Sequence, residues 1–237
     1  MLLPAAPHPM YRNRHQCKAD QMRLALPNPC LCLVTDRRLG DEATLVDRIA
    51  DAVSGGVDLV QLREKDLPGG RLLELAQRIK EALTDSALLI INERVDVASA
   101  VAADGVQLGE EALPISEARN ILGPDTLIGS SVHTLAGALR AEEQDADFLL
   151  VGTMFASRSH PGEKPLGPEL VRQVKTHCSV PLIGIGGINA ANTRHVMDAG
   201  ASGVAVISSI LASRDPKEAA RQIKLAILAS AMAARAS

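Results

Sequence analysis

From residue 31 onward the chain alternates between two patterns. Short runs that are apolar almost throughout occupy 31–35, 58–63, 87–92, 105–108, 127–131, 147–151, 181–184 and 203–207. Between them lie segments with apolar residues three and four apart. Over 70–83, Leu72, Leu73, Leu75, Ala76, Ile79 and Leu83 gather on one helical face, and 135–144 repeats the pattern. Strands without polar alternation suit a parallel sheet covered on both faces. Eight strand–helix units in about 200 residues predict a single-domain α/β protein, a (β/α)8 TIM barrel. An open doubly wound sheet is the alternative. The first strand–helix junction, 34–40, lacks the Gly-x-Gly-x-x-Gly cradle of a dinucleotide fold.

Residues 1–28 do not share this rhythm. They hold four prolines (Pro4, Pro7, Pro9, Pro27), four basic residues and one acid, with no apolar periodicity. The domain reading is therefore a disordered or loosely attached leader over 1–28, then the barrel over 29–237. The apolar start, Leu2-Leu3, is too short for a signal-peptide core. Setting the leader aside leaves 21 basic and 27 acidic residues in 29–237, a net charge of -6. That balance, with Tyr11, Phe148 and Phe155 as the only aromatics, excludes a basic or base-stacking nucleic-acid surface. No apolar run is long enough to span a bilayer. Cys17, Cys30, Cys32 and Cys178 are scattered and form neither a disulfide framework nor a zinc pattern, as expected for reduced thiols in the cytoplasm. The sequence leaves the oligomeric state open, a homo-oligomer included.

In such barrels chemistry sits at the C-terminal ends of the strands. Strand 2 ends in Gln61, Arg63 and Lys65, which alternation places on one side; an Arg fork with a Lys point charge suits a phosphate or pyrophosphate, and a solvated charge run is the alternative. Strand 3 ends in Asn92-Glu93, which either bind substrate or metal or, for Asn92, cap the next helix. Glu110-Glu111 follow strand 4; beside Glu93 they suit Mg²⁺, and otherwise they are two surface acids. Strand 5 leads into Ser131 and His133, the latter either an acid/base group or a loop anchor. A long loop, 152–164, carries Ser157, Ser159 and His160 among glycine and proline, the composition of a loop that orders over an anion. Gly186-Gly187 after strand 7 and Ile207-Ser208 after strand 8 fall where these barrels bind phosphate through backbone N–H groups.

Taken in order, Gln61-Leu-Arg-Glu-Lys65, Asn92-Glu-Arg-Val-Asp96, Ala103-Asp-Gly-Val-Gln-Leu-Gly109, Ser131-Val-His-Thr134, Gly184-Ile-Gly-Gly-Ile188 and Ala199-Gly-Ala-Ser-Gly-Val204 resemble the thiamin phosphate synthase family. The resemblance spans about residues 31–225. It implies a TIM barrel that joins hydroxymethylpyrimidine pyrophosphate to a thiazole phosphate with Mg²⁺, releasing pyrophosphate. By the same resemblance Gln61 and Asn92 contact the pyrimidine, and Asn92 also the pyrophosphate region. Arg63, Lys65 and the position of His160 meet the pyrophosphate. Ser131 lies near the migrating carbon. Ser157 and Ser159 approach the thiazole phosphate, and Gly187, Ile207 and Ser208 cradle it. Three positions depart from the family's pattern: Glu93 and Ala112 stand where it carries Mg²⁺-binding aspartates, and His160 where it carries a lysine. The expected metal ligands are then Glu93 and Glu111, or its neighbour Glu110. The departures make the related thiazole tautomerase, metal-independent and with a histidine at the place of His133, the alternative activity. A non-catalytic phosphate-binding relative is the third reading.

Overall fold

The computed structural model describes residues 24–156 and 165–236. Eight parallel strands close into a barrel in sequence order: β1 (Cys30–Val34), β2 (Leu59–Leu62), β3 (Leu88–Asn92), β4 (Gly105–Leu108), β5 (Leu127–Val132), β6 (Phe148–Gly152), β7 (Leu182–Ile185) and β8 (Gly203–Val206). Every strand expected from the apolar runs is present, with ends that shift by no more than one residue. The surrounding helices are α1 (Leu45–Ser54), α2 (Gly69–Leu83), α3 (Val95–Val101), α4 (Ile115–Leu122), α5 (Leu135–Glu143), α6 (Pro168–His177) and α7 (Thr193–Met197), then the short α8 (Ser208–Leu211) and the long α9 (Pro216–Ala236).

Alternation along each strand separates two apolar layers. Leu31, Leu33, Val60, Leu62, Leu89 and Ile91 face the helices. Cys30, Cys32, Leu59, Ile90, Leu127 and Phe148 fill the barrel interior. Phe148 is the largest fully buried side chain and needs Gly129 beside it: a Cβ there would lie 2.3 Å from the phenyl ring. Burial pushes the thiols of Cys30 and Cys32 above their usual range, so they act as small apolar fillers. Leu24 and Leu26 also pack against this inner cluster. They belong to the stretch that sequence reading assigned to the leader. The apolar surface that a periodicity search misses is two leucines set into the N-terminal mouth of the barrel.

One device recurs at that mouth. The residue before β2, β4 and β6 is an aspartate, and its carboxylate accepts the backbone N–H of the second residue of the preceding strand. Asp58 accepts from Leu31 at 2.7 Å, Asp104 from Leu89 at 2.8 Å and Asp147 from Ile128 at 2.7 Å. Each aspartate N–H bonds back to the carbonyl of the same partner residue, so the strand pairs start in fixed register. Two of them also reach the helices: Lys224 of α9 grips Asp58 at 2.6 Å and Arg119 of α4 grips Asp147 at 2.6 Å. Asp58→Ala removes both the Leu31 bond and the Lys224 partner, which should cost about 2–3 kcal/mol and lower the melting temperature by about 5–10 °C. Asp104→Ala, which loses the Leu89 bond, should cost about half as much, a difference that thermal unfolding of the two variants checks.

Candidate active site

The C-terminal ends of the strands surround a cavity of about 250 Å³. Its floor is apolar, made by Val34, Leu150, Ile185 and Ala205 at the top of the barrel interior. Polar groups rise around that floor on inward-facing positions of successive strands. Gln61 is buried and donates from Nε2 to Asn92 Oδ1 at 3.0 Å, which ties β2 to β3. Asn92 therefore serves the cavity wall and does not cap α3, whose N-cap is Arg94. Arg63 and Lys65 line the same side, with Lys65 Nζ 3.2 Å from Glu93 Oε1. Glu93 has a left-handed backbone, φ 59°, held by its N–H bond to the Gln107 carbonyl at 2.8 Å. A non-glycine residue in that region is strained, and such strain persists where the surroundings impose it.

Across β4 and β5, Gln107 is almost fully buried and donates from Nε2 to Ser131 Oγ at 3.0 Å. That bond occupies a lone pair of the Ser131 hydroxyl and leaves its hydrogen free to donate elsewhere. Gln107 Oε1 is buried without a partner. His133 stands on the rim: its backbone N–H reaches Glu110 Oε1 at 3.3 Å and its Nδ1 lies 3.6 Å from the same oxygen.

The far wall is backbone. Gly186 and Gly187 have φ of 106° and 62°, and a Cβ at Gly187 would lie 2.5 Å from the Ala156 carbonyl. Asn192 Nδ2 donates to the Gly187 carbonyl at 3.0 Å, and Ser209 Oγ bonds the Ile188 carbonyl, joining loop 7 to α8. Gly187, Ile207 and Ser208 all line the cavity on this side. The site thus has a cationic wall, an apolar floor and a glycine-lined wall, an arrangement that can hold two anionic groups with an apolar body between them.

The structure brings together Gln61, Arg63, Lys65, Asn92, Glu93, Ser131, His133, Gly187, Ile207 and Ser208. Ser157, Ser159 and His160 lie outside the described residues. Glu111 is exposed and does not line the cavity; its neighbour Glu110 does, because the turn after β4 points adjacent side chains in different directions. Two residues were missed. Thr153, buried at the end of β6, lines the cavity, and Gln107 holds Ser131. The signal for Gln107 was its inward position two residues before Gly109. Among the described residues no three His, Cys, Asp or Glu side chains converge as a metal cage. Among the described residues Glu93 and Glu110 are the two carboxylates on the cavity, a donor set that fits Mg²⁺ only where substrate phosphates complete its shell.

Residues 31–210 match the family model described as thiamine monophosphate synthase. The chain belongs to that family. It is 44% identical over 202 residues to the thiamine-phosphate synthase of Methanoculleus marisnigri, covering 84% of this chain and 96% of the relative. It is 40% identical to that of Roseiflexus sp., covering 86% and 87%. The thiamine phosphate pyrophosphorylase structure from Pyrococcus furiosus superposes with a TM-score of 0.78 at 36% identity, covering 86% of this chain and 98% of that one. Within this family the Gln107–Ser131 bond gives a direct test. Gln107→Leu removes the donor to Ser131 together with the orphan oxygen, so stability should change by about 1 kcal/mol or less while turnover falls about tenfold. Steady-state kinetics beside a thermal melt separates the two effects.

Proposed function

We propose that this member of the family is a thiamin phosphate synthase, coupling hydroxymethylpyrimidine pyrophosphate to a thiazole phosphate and releasing pyrophosphate. The observation that carries this reading is the pairing of a cationic wall with a glycine-lined wall across one apolar floor. A tautomerase handles one phosphate and has no use for both.

In the reaction the C–O bond to pyrophosphate breaks, its electron pair leaves with the pyrophosphate, and the thiazole nitrogen bonds the pyrimidine methylene carbon. Arg63 and Lys65 stabilise the charge that develops on the leaving group, with His160 as a third contact. Gln61 and Asn92, already bonded to each other, orient the pyrimidine. Ser131 donates its free hydrogen toward the reacting carbon's leaving oxygen. The N–H groups at Gly187, Ile207 and Ser208, with Ser157 and Ser159, hold the thiazole phosphate, so the two reactants meet over the apolar floor. Glu93 and Glu110 would hold a Mg²⁺ that neutralises pyrophosphate charge when bound; Glu110 would take the role expected of Glu111, and Ala112 has no side-chain oxygen to offer. Cys30, Cys32 and Cys178 are free thiols, in keeping with a cytoplasmic enzyme. Among the described residues no helix is long and apolar enough to cross a membrane.

Arg63→Ala should weaken binding of the pyrimidine pyrophosphate by about 1.5–3 kcal/mol, the range for a hydrogen bond to a charged group. Unchanged affinity by calorimetry would remove the main support for the synthase.

A second reading, thiazole tautomerase, rests on the His133–Glu110 contact at the rim. There His133 would carry the proton between two carbons, and His133→Asn should cost about 10²–10⁴-fold in tautomerisation. In the synthase the same change should cost about tenfold, because asparagine keeps a hydrogen bond to the loop. Rates of both reactions, measured for both proteins at saturating substrate, decide between them.

A further inference from the structure

Arg63 and Lys65 lie beyond Leu62, the last residue of β2, where the sheet no longer holds the chain. What holds it instead is the segment that follows β1. Thr35, fully buried, accepts the Arg63 N–H on Oγ1 at 2.9 Å. Arg37 does the rest. Its backbone N–H reaches Glu64 Oε1 at 3.0 Å and its Nη1 reaches Glu64 Oε2 at 3.1 Å. The same guanidinium forks onto Asp66, Nη1 to Oδ1 at 2.7 Å and Nη2 to Oδ2 at 2.8 Å.

The charges make this arrangement more than a loop contact. Residues 63–66 read Arg-Glu-Lys-Asp, so each cation of the proposed anion wall has a carboxylate as its neighbour. The Glu64 side chain is only 2% exposed, and Arg37 occupies both of its oxygens. A buried carboxylate stripped of its partner is strongly destabilising and would turn toward the nearest cation or water. The sequence neighbours of Glu64 on either side, Arg63 and Lys65, are the cations that line the cavity. Arg37 itself does not line the cavity. Its fork also holds the Asp66 carboxyl down to about 2.

We propose that Arg37 is a positioning residue for the pyrophosphate side of the site: by clamping Glu64 and Asp66 it fixes the turn that presents Arg63 and Lys65, and it keeps two carboxylates from competing with the incoming anion. The inference rests on the assignment of Arg63 and Lys65 to pyrophosphate. It goes beyond that assignment by placing control of this wall in the loop after β1.

The test compares parent, Arg37→Ala, Arg37→Lys and Arg63→Ala. Binding of inorganic pyrophosphate with Mg²⁺ is read by calorimetry, and KM is measured for each substrate. Arg37→Ala should raise the pyrophosphate Kd and the KM for the pyrimidine pyrophosphate about tenfold and leave the KM for the thiazole phosphate within about twofold. Arg37→Lys keeps the charge but not the fork, so it should recover about a third of the lost affinity. Arg63→Ala should cost less in an Arg37→Ala background than in the parent, since both act on one wall. Should Arg37→Ala fail to fold, Arg37→Gln with Glu64→Gln removes the buried charge together with its partner and should show a smaller loss, still confined to the pyrophosphate side, because the Asp66 fork is gone but Glu64 no longer competes. Pyrophosphate affinity within twofold of the parent, or an equal loss for both substrates, overturns the inference. Parent-like pyrophosphate binding by Arg63→Ala overturns the anion-wall assignment, and this inference with it.

Discussion

Closure of eight parallel strands is the constraint on which everything else in this protein depends. Once the ring closes, all strand C-termini lie at one rim and every second side chain points inward. The inward positions must then do two jobs along their length. Low in the barrel they are Cys30, Leu59, Leu127 and Phe148, which exclude water. Higher in the barrel, on β2 to β5, they become Gln61, Asn92, Gln107 and Ser131. The polar layer sits on a dry floor, where hydrogen bonds and charges act more strongly than in water.

The two ends of the barrel are held in different ways. At the N-terminal mouth, side chains bond strand backbones directly: Asp58, Asp104 and Asp147 set the register of three strand pairs. At the C-terminal rim the sheet has ended, and the segments that carry the chemistry are tied by contacts between loops. Thr35 and Arg37 hold the turn after β2, and Asn192 and Ser209 hold loop 7, above the Gln107–Ser131 bond that still lies within the sheet. The rim can therefore vary in sequence without disturbing the register below, which is the usual division of labour in this fold.

Membership of the thiamine monophosphate synthase family places the cavity in a known line of enzymes. The chain nonetheless carries Ala112 and puts Glu110, not Glu111, on the cavity. The Mg²⁺ proposed above, were it held there, would rely more on substrate phosphate oxygens than on protein carboxylates. The reading is consistent with Glu93 and Glu110 each already facing a basic side chain, Lys65 and His133.

Local chemistry determined much of this. Apolar runs and helical spacing located all eight strands, because the period of hydrophobicity reports burial directly. Alternation put Gln61, Arg63 and Lys65 on one side, and position after strands 7 and 8 marked Gly187 and Ser208. Other features depend on contacts between segments far apart in sequence, which no local pattern encodes. Leu24 and Leu26 look like leader until the barrel mouth is there to receive them. Glu110 and Glu111 are equivalent as sequence, and only the course of the turn after β4 separates them. Arg37 reads as one charge in a polar loop, yet closure of β1 against β2 brings it onto Glu64 and Asp66, 27 and 29 residues away. The sequence determined which residues could bind an anion; the tertiary structure decided which of their neighbours hold them in place, because only chain closure sets those distances.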